Sequence, residues 1–247
     1  MSRVFGEVAA LYDDIRPGYP AEVIDTLTAY HGGVPASVAD LGAGTGKGTE
    51  LLLRLGVPVI AVEPDPRMAE ILALKFPAAE VVNAAFEQWS PPSGGVGLIG
   101  CATAWHWMDP ATRNQRVHAA LVPRGSLAIL HNRHGYAEPH QFQEIDRILQ
   151  AIDPIQSIDD RPTDWVRTEL DQSGLFTDTE VHEWHRHPVF SKEQYLQLLR
   201  TFSTFRKHSP DDQQLALTNL GAAIDGWGGT VRMDIHTVLV LGRAAAA

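Results

Sequence analysis

A run of glycines between two carboxylates carries the most direct chemical information in this 247-residue sequence. Gly42, Gly44 and Gly46 stand at alternate positions after a short apolar stretch that ends near Asp40, and a helical pattern begins at Lys47. Glycine lets the backbone turn sharply and approach a ligand without interference from a Cβ atom. The first N–H groups of the following helix have no partner within that helix, so they face the same ligand. The pattern predicts a cradle for a nucleotide-type ligand.

A second carboxylate, Glu63, ends the next apolar run, which extends from Val57 to Val62. A carboxylate at the end of a strand, about 20 residues beyond a glycine turn, can accept hydrogen bonds from ribose hydroxyl groups. Pro64 and Pro66 follow at once and open the next helix. Strand, glycine turn, helix, strand and acid therefore occur in the order that predicts a ribose-containing ligand.

Two other glycine-rich loops fit this spacing poorly. A phosphate-binding P-loop needs a glycine five residues before its Gly-Lys-Ser/Thr run, but Leu41 stands there and Gly48 follows Lys47. The dinucleotide-binding fingerprint needs a small residue three positions after its second glycine, where the helix packs closely on the strand. That position is Lys47, a large charged residue. A nicotinamide-dependent dehydrogenase is therefore disfavoured.

The stretch Val38 to Gly46 closely resembles the glycine-rich loop of class I S-adenosylmethionine-dependent methyltransferases. The similarity continues through predicted strands at 79–83, 96–103 and 127–131, and through the run Trp105-His106-Trp107 after the fourth strand. It is closest to the small-molecule branch, which includes the trans-aconitate-methyltransferase-like proteins. The resemblance implies S-adenosylmethionine as cofactor, S-adenosylhomocysteine as product and a small organic molecule as methyl acceptor.

The resemblance also implies individual site residues. Glu63 would bind the ribose, the segment 84–87 the adenine, and Arg16 the methionine end of the cofactor. The implied cofactor-binding residues are Tyr12, Arg16, Asp40, Gly42, Ala43, Gly44, Thr45, Gly46, Glu63, Pro64, Met68, Ala85, Phe86, Glu87 and Thr103. The implied substrate-binding residues are Tyr19, Trp105, His106, Trp107 and Arg133.

Methyl transfer asks the protein to align a nucleophile with the methyl group and to exclude water. A general base is needed only when the acceptor is a neutral hydroxyl, amine or carbon acid. His106 is the first candidate for this base and His131 the second, because both follow strands that end at the expected site. His106 could equally be a wall of the pocket. Trp105 and Trp107 could shape an acceptor pocket or belong to the core.

His182, His185 and His187 form a histidine-rich stretch in a predicted strand. Side chains alternate along a strand, so His185 and His187 share one face while His182 points to the other. The three histidines would need a distortion to converge, and no cysteine or nearby pair of carboxylates completes a set. No metal site is therefore predicted.

Four arginines could hold a carboxylate of the cofactor or of the acceptor, or they could be surface charges. They are Arg16, Arg133, Arg200 and Arg206.

Composition sets outer limits on function. The formal charge is −10 and the pI about 5.5, which is opposite to the basic excess of a nucleic-acid-binding face. Cys101 is the only cysteine, so a reducing cytoplasm is expected. No apolar run approaches the roughly 18 residues that a membrane span requires, and the N-terminus lacks the apolar core of a signal peptide. The expectation is a cytoplasmic monomer or homodimer without a membrane or nucleic-acid partner.

The elements that must position these residues alternate between strand and helix from residue 20 to about 131, which predicts a doubly wound parallel sheet. The resemblance implies seven strands in the order 3-2-1-4-5-7-6 with the last strand antiparallel. Helices are expected at 139–151, 164–172, 191–202 and 211–224, and strands at 177–188 and 230–242.

The chain is expected to be one domain, 1–247. Residues 1–30 would cover the cofactor, and 136–175 and 190–228 would form helical lid insertions. The alternative is a protein that binds the cofactor for a non-methylating role, as a cyclase or regulatory binder.

Overall fold

The computed structural model describes residues 13–152 and 161–246, and an eight-stranded sheet lies at its centre. The strands are β1 (Val38–Leu41), β2 (Val59–Val62), β3 (Ala79–Val82), β4 (Val96–Ala102), β5 (Leu121–Tyr136), β6 (Phe176–Arg186), β7 (Val189–Ser191) and β8 (Thr230–Ala244). Their order is β3-β2-β1-β4-β5-β8-β6, with the short β7 paired to β8. Strands β1 to β5 are parallel, and β8 runs antiparallel to β5 and to β6.

This topology confirms the predicted fold class, because β8 takes the place of the expected seventh strand between β5 and β6. The expected count of seven strands missed β7. That strand has three residues and pairs only with the start of β8, through Phe190 and Val231. Three residues are too few to show the alternation by which a strand is recognised in a sequence.

Nine α-helices of the described residues connect the strands. They are α1 (Glu22–His31), α2 (Lys47–Leu53), α3 (Pro66–Lys75), α4 (Arg113–Ala120), α5 (Pro139–Gln150), α6 (Trp165–Ser173), α7 (Lys192–Leu199), α8 (Ser203–Arg206) and α9 (Pro210–Gly226). Two 3₁₀ turns, Phe86–Gln88 and Trp105–Trp107, follow β3 and β4. The helix expected at 191–202 ends at Leu199, and a separate short helix follows it. None of the described helices is both long and apolar enough to cross a membrane.

Both faces of the central strands are covered. One face packs Leu127, Ile129 and Val240 against the helices α4 and α6, and the other packs Leu98 and Leu130 against α1 and α2. These strands are buried over nearly their whole length, which is typical of a parallel sheet with helices on both sides. The sheet is therefore a rigid platform for the loops at its carboxyl edge.

A second apolar cluster lies beyond this edge. It joins α5, α7, α8 and α9 to the end of β5 and the start of β8, with Tyr195, Leu220 and Ile235 fully buried. The predicted lid at 136–175 differs from this arrangement, because α6 packs its Val166 and Leu170 on the sheet. Within the segment 1–30, α1 packs on the sheet through Val23 and Leu27, and residues 1–12 lie outside the described part of the chain. The covering role of this segment stays a prediction. The helices above the carboxyl edge are α5 and those within 190–228.

Candidate cofactor and acceptor site

A cavity of about 1350 Å³ opens at the carboxyl ends of β1, β2, β4 and β5. Ligands of open α/β sheets bind at this edge. The loop after β1 and the end of β2 form one half of the cavity, which we call the loop half. The turn after β4, the end of β5 and the helices α5 and α8 form the other half, which we call the helical half. The fold thus brings together two chemically different surfaces.

The glycines of the loop after β1 have two different functions. Gly44 has φ of +59° and borders the cavity, and a Cβ there would meet only the Met68 side chain at 3.7 Å. A Cβ on Gly46 would lie 2.5 Å from the Phe76 ring, and one on Gly48 would lie 2.8 Å from Ala102. Gly46 and Gly48 are therefore required by helix packing. Gly44 is the glycine that keeps the backbone open toward a ligand.

Glu63 joins the loop to the start of α3. Its carboxylate accepts hydrogen bonds from the backbone N–H of Gly44 and of Asp65, each at 2.8 Å, one on each oxygen. Burial raises the pKa of Glu63, and these two backbone hydrogen bonds act against that rise. A carboxylate has about four acceptor positions, so two remain for a ligand on a residue that borders the cavity. Asn83 supports this arrangement by donating to the Glu63 carbonyl at 2.8 Å.

Asp40 lies behind the loop and does not border the cavity. It is fully buried, and its Oδ2 accepts a hydrogen bond from the Thr49 hydroxyl at 2.7 Å. Its Oδ1 has no hydrogen-bond partner among the described residues. Burial raises the pKa of Asp40 to about 7, and the neighbouring charge of Glu63 adds to this rise. Asp40 therefore does not line the cavity and instead connects β1 to α2 through Thr49.

The segment after β3 is divided between the cavity and the core. Ala85 borders the cavity, together with Asn83 and Gln88. Phe86 is 2% exposed and lies in the core beneath the Arg116 guanidinium, 5.5 Å from its ring centroid. Glu87 is exposed and turns toward the backbone N–H of Asp109, 3.4 Å away. Phe86 and Glu87 thus do not border the cavity, because the 3₁₀ turn points them away from it.

The end of β4 carries a strained residue. Thr103 has φ of +56°, which a β-branched residue rarely adopts. Its N–H donates to the Leu130 carbonyl at 2.7 Å, and its hydroxyl lies 2.8 Å from the Tyr19 hydroxyl. Such strain concentrates at functional sites, where surrounding contacts maintain it. The Tyr19 contact also places the segment before α1 over the cavity.

The turn Trp105–Trp107 separates the three residues that the resemblance had grouped. Trp105 is 2% exposed and belongs mainly to the core, although it reaches the cavity wall. His106 is exposed, and its ring lies 4.8 Å from that of Trp107. Both His106 and Trp107 border the cavity. They therefore form the cavity-facing part of this turn.

A buried ion pair holds this turn in place. The Arg113 guanidinium donates to the Trp105 carbonyl at 2.8 Å, and its Nε donates to Glu169 at 2.7 Å. Asn114 also donates to Glu169, at 2.9 Å. Glu169 belongs to α6, so this network connects the sheet-covering helix to the backbone beneath His106. No sequence pattern indicated this network, because Arg113 and Glu169 are far apart along the chain.

The end of β5 supplies basic side chains to the helical half. His131, Arg133 and His134 all border the cavity. Burial, with Arg16 and Arg186 nearby, lowers the pKa of His134 to about 3, so this ring is neutral. Arg133 donates to the carbonyl groups of Arg161 and Pro162, which come from the segment before α6. Arg133 is therefore anchored in the cavity wall by backbone carbonyls.

Arg16 is placed in the helical half. Its Nε donates to the Thr201 hydroxyl at 2.8 Å, a terminal nitrogen donates to the Thr201 carbonyl at 3.0 Å, and the guanidinium lies 4.2 Å from the Phe202 ring centroid. The same side chain borders the cavity. Arg16 thus fastens the segment before α1 to the loop between α7 and α8. Arg16 can contact a ligand in the cavity only while it keeps these interactions with Thr201 and Phe202.

Most of the residues expected at the site lie around this one cavity. Those that border it are Arg16, Tyr19, Gly42, Ala43, Gly44, Thr45, Glu63, Pro64, Met68, Ala85, Thr103, Trp105, His106, Trp107, His131 and Arg133. Asp40, Gly46, Phe86 and Glu87 lie behind it, and Tyr12 lies outside the described residues. Residues that border the cavity without having been expected there include Asn83, Gln88, His134, Tyr136, Asp146 and Phe202. Of these, Asn83 alone had a usable signal, since it follows β3 at the same edge.

Comparisons with known protein sequences match this chain to methyltransferases. A family model described as a methyltransferase domain matches residues 38–125, which include the glycine loop, Glu63 and β4. An uncharacterized methyltransferase of Mycobacterium bovis is 33% identical over 189 residues, which make up 74% of this chain and 71% of that protein. The matched region therefore extends well beyond the glycine loop.

Comparisons of structure give the same fold. A protein described as a type II methyltransferase from Anaeromyxobacter dehalogenans has a TM-score of 0.61 at 20% identity, covering 94% of this chain and 99% of that one. A Haemonchus contortus phosphoethanolamine N-methyltransferase, solved with S-adenosylhomocysteine and phosphomonomethylethanolamine, has a TM-score of 0.56 at 12% identity, covering 99% of this chain and 58% of that one. At these identities the likeness shows the fold alone.

Proposed function

Because this chain belongs to the class I S-adenosylmethionine-dependent methyltransferases, we propose that it transfers a methyl group from S-adenosylmethionine to a small organic acceptor. The observation that carries the proposal is the Glu63 carboxylate. It borders the cavity, fixes the glycine loop through two backbone hydrogen bonds and retains acceptor positions for a ribose diol.

The residues of the loop half fit this cofactor. Gly44 lets the backbone approach the ribose and the methionine part, while Met68 and Pro64 give an apolar wall. When bound, S-adenosylmethionine supplies an electrophilic methyl group. The protein has to hold it, orient the acceptor and exclude water.

The helical half fits a small acceptor better than a polymer. It is formed by aromatic and basic side chains, among them Trp107, Tyr136, Phe202 and Arg133. Deep concave sites of this kind surround most of a small molecule and fix it by a few polar groups. The mixture of rings and basic groups favours an acceptor with an apolar or aromatic body and an acidic or polar end.

His106 is the candidate base of this proposal. It is the exposed side chain of the turn after β4, and it faces the cavity at the boundary between the two halves. A neutral imidazole there would accept the proton of a hydroxyl, amine or carbon acid during transfer. An acceptor that is already ionised would need His106 for orientation only. His131 is the second candidate.

The remaining expectations about the whole protein are part of the same proposal. We expect a monomer or homodimer that works in the cytoplasm on a small molecule, without nucleic acid as a partner. The alternative is a protein that binds S-adenosylmethionine for a non-methylating role.

Two measurements test the proposal. Isothermal titration with S-adenosylhomocysteine should show saturable binding that NAD does not reproduce. Incubation with labelled S-adenosylmethionine and a set of small carboxylic acids, phenols and amines should then give acceptor-dependent release of S-adenosylhomocysteine. Binding without any turnover over a broad acceptor set would favour the non-methylating alternative. Absence of binding would contradict both.

A further inference from the structure

A group of histidines and carboxylates lies on one face of the β6–β8 pair, at the rim of the cavity. His185 is paired with His236 across the two strands, and their rings stack at 4.3 Å between centroids and 9° between planes. Glu183 Oε2 lies 2.8 Å from His236 Nε2, and Asp234 Oδ1 lies 2.9 Å from His185 Nδ1. His187 Nε2 lies 3.5 Å from the same Asp234 oxygen. Nothing in the proposed methyl transfer uses these contacts.

The pairing of the strands explains why these side chains meet. Glu183 and His185 alternate along β6 and therefore share a face, and His187 follows the end of that strand. His236 pairs with His185 in the antiparallel ladder and shares this face, and Asp234 lies two residues before His236 on β8 and so points the same way. The sequence offered only His182, His185 and His187. The strand β8 brings in a second imidazole and a carboxylate from about 50 residues away.

We propose that Glu183, His185 and His236 bind a divalent transition-metal ion of the zinc class. Their ligand atoms lie within 4.8 Å of one another. Zinc binds nitrogen and oxygen ligands at about 2.0–2.2 Å, so the three side chains need to approach one another by about 1–1.5 Å. Imidazole and carboxylate together suit zinc, nickel, cobalt and copper.

The exposure of these side chains makes this contraction feasible. The His236 side chain is 15% exposed and holds its place, whereas Glu183 and His185 are 43% and 50% exposed and have room to turn. A metal ion lies in the plane of each imidazole it binds, so the stacked His185 ring must turn relative to His236. Asp234 hydrogen-bonds Nδ1 of His185, which leaves Nε2 to carry the lone pair.

The location of the cluster suggests what an ion there would do. His185, Asp234 and His236 border the same cavity as His106 and Arg133. A zinc ion with three protein ligands keeps a coordination position open for a further oxygen ligand. The site would therefore join β6 to β8 and offer an anchoring point for an oxygen atom of a cavity ligand. The proposal needs no methyl transfer and stands or falls separately from the proposed function.

Metal titration in the absence of cofactor tests the site. The chelator-treated chain is titrated with Zn²⁺ by calorimetry, and with Co²⁺ by visible absorption, which reports nitrogen and oxygen coordination. One equivalent of Zn²⁺ should bind. His185→Gln and His236→Gln should each weaken binding at least about tenfold, the loss that a change around a metal ligand typically causes.

His182 provides a matched control. Its ring lies 2.8 Å from Glu180, the same distance as in the His236–Glu183 pair, but on the opposite face of β6. His182→Gln should leave Zn²⁺ affinity unchanged. Absence of saturable Zn²⁺ binding, or equal weakening by His182→Gln, would overturn the site. Circular dichroism checks the fold, and the exposed His185 gives a variant that leaves the sheet intact.

Discussion

Replacement of Glu63 by glutamine should affect the empty protein and its ligand binding separately. In the structure each carboxylate oxygen accepts one backbone hydrogen bond, from Gly44 and from Asp65, both at 2.8 Å. Glutamine has one acceptor oxygen, so its NH₂ group must face one of these two N–H groups. The loss of one hydrogen bond to a charged group should lower the free energy of unfolding by about 1.5–3 kcal/mol. For a chain of this size the melting temperature should fall by roughly 3–12 °C.

The same substitution should weaken ligand binding for a second reason. A ribose hydroxyl that donated to the carboxylate would lose its charged acceptor, which costs about 1.5–3 kcal/mol. At about 1.4 kcal/mol per tenfold change this corresponds to roughly 10–150-fold weaker binding of S-adenosylhomocysteine. Calorimetry measures this value directly. Glu50→Gln is the matched control, because Glu50 lies on the next helix, is exposed and does not border the cavity.

A ligand lacking one ribose hydroxyl separates the direct contact from loop disorder. Wild-type protein should bind the 2′-deoxy and 3′-deoxy analogues of S-adenosylhomocysteine more weakly than the parent compound, and Glu63→Gln should lose most of this preference for at least one of them. A double-mutant cycle between protein and ligand gives the coupling energy. Zero coupling with both analogues, or unchanged affinity of Glu63→Gln, would refute the assignment of Glu63 to the ribose.

Three further predictions follow from the site. Gly44→Val should abolish S-adenosylhomocysteine binding in calorimetry, while the fold survives with a free energy of unfolding lowered by about 1–3 kcal/mol because of the positive φ. Gly94→Val is the control, because Gly94 has φ of +88° and lies outside the cavity. It should show the same loss of stability without the loss of binding. Burial raises the pKa of Asp40 from 3.8 to about 7, so the native state holds a proton that the unfolded chain releases, and the free energy of unfolding should fall as pH rises from 4 toward 7. Urea unfolding of Asp40→Asn between pH 5 and 8 should show a flatter profile, and an identical slope would contradict the raised pKa. His106→Ala should lower kcat by roughly 10²–10⁴-fold for a neutral acceptor, or mainly raise KM for an ionised one, with cofactor affinity unchanged; an unaltered kcat/KM would place His106 away from the acceptor.

The fold could be predicted from local signals that act over short distances. The alternation of strand and helix, the glycine turn and Glu63 are each read within about 25 residues, and the parallel sheet follows from their order. The same patterns predicted the bounds of an element poorly where the element is short or atypical. β5 extends from Leu121 to Tyr136, well beyond the apolar stretch 127–131, because pairing with β8 satisfies its polar end. Only the partner strand made that extension stable.

Whether a predicted residue borders the cavity depends on the direction in which its side chain points. The segment 84–87 was predicted to contact the adenine, yet only Ala84 and Ala85 border the cavity, because the 3₁₀ turn directs Phe86 into the core and Glu87 outward. Gly46 was predicted to be part of the ligand loop, whereas its missing Cβ atom makes room for the Phe76 ring. A shift of the backbone by one residue can reverse the direction in which a side chain points. The sequence pattern does not specify this direction.

The sequence by itself thus determined the family, because the motifs that identify it consist of residues close together in the chain, and the sheet order followed from the resemblance to that family. The assignment of Glu63 to the ribose stays a prediction. The tertiary structure decided what surrounds them. The Arg113–Glu169 network beneath His106 and the His185–His236 pair at the rim both join residues about 50 positions apart. Contacts at such separations are fixed by how helices and strands pack on the sheet, and no local pattern of side chains encodes them.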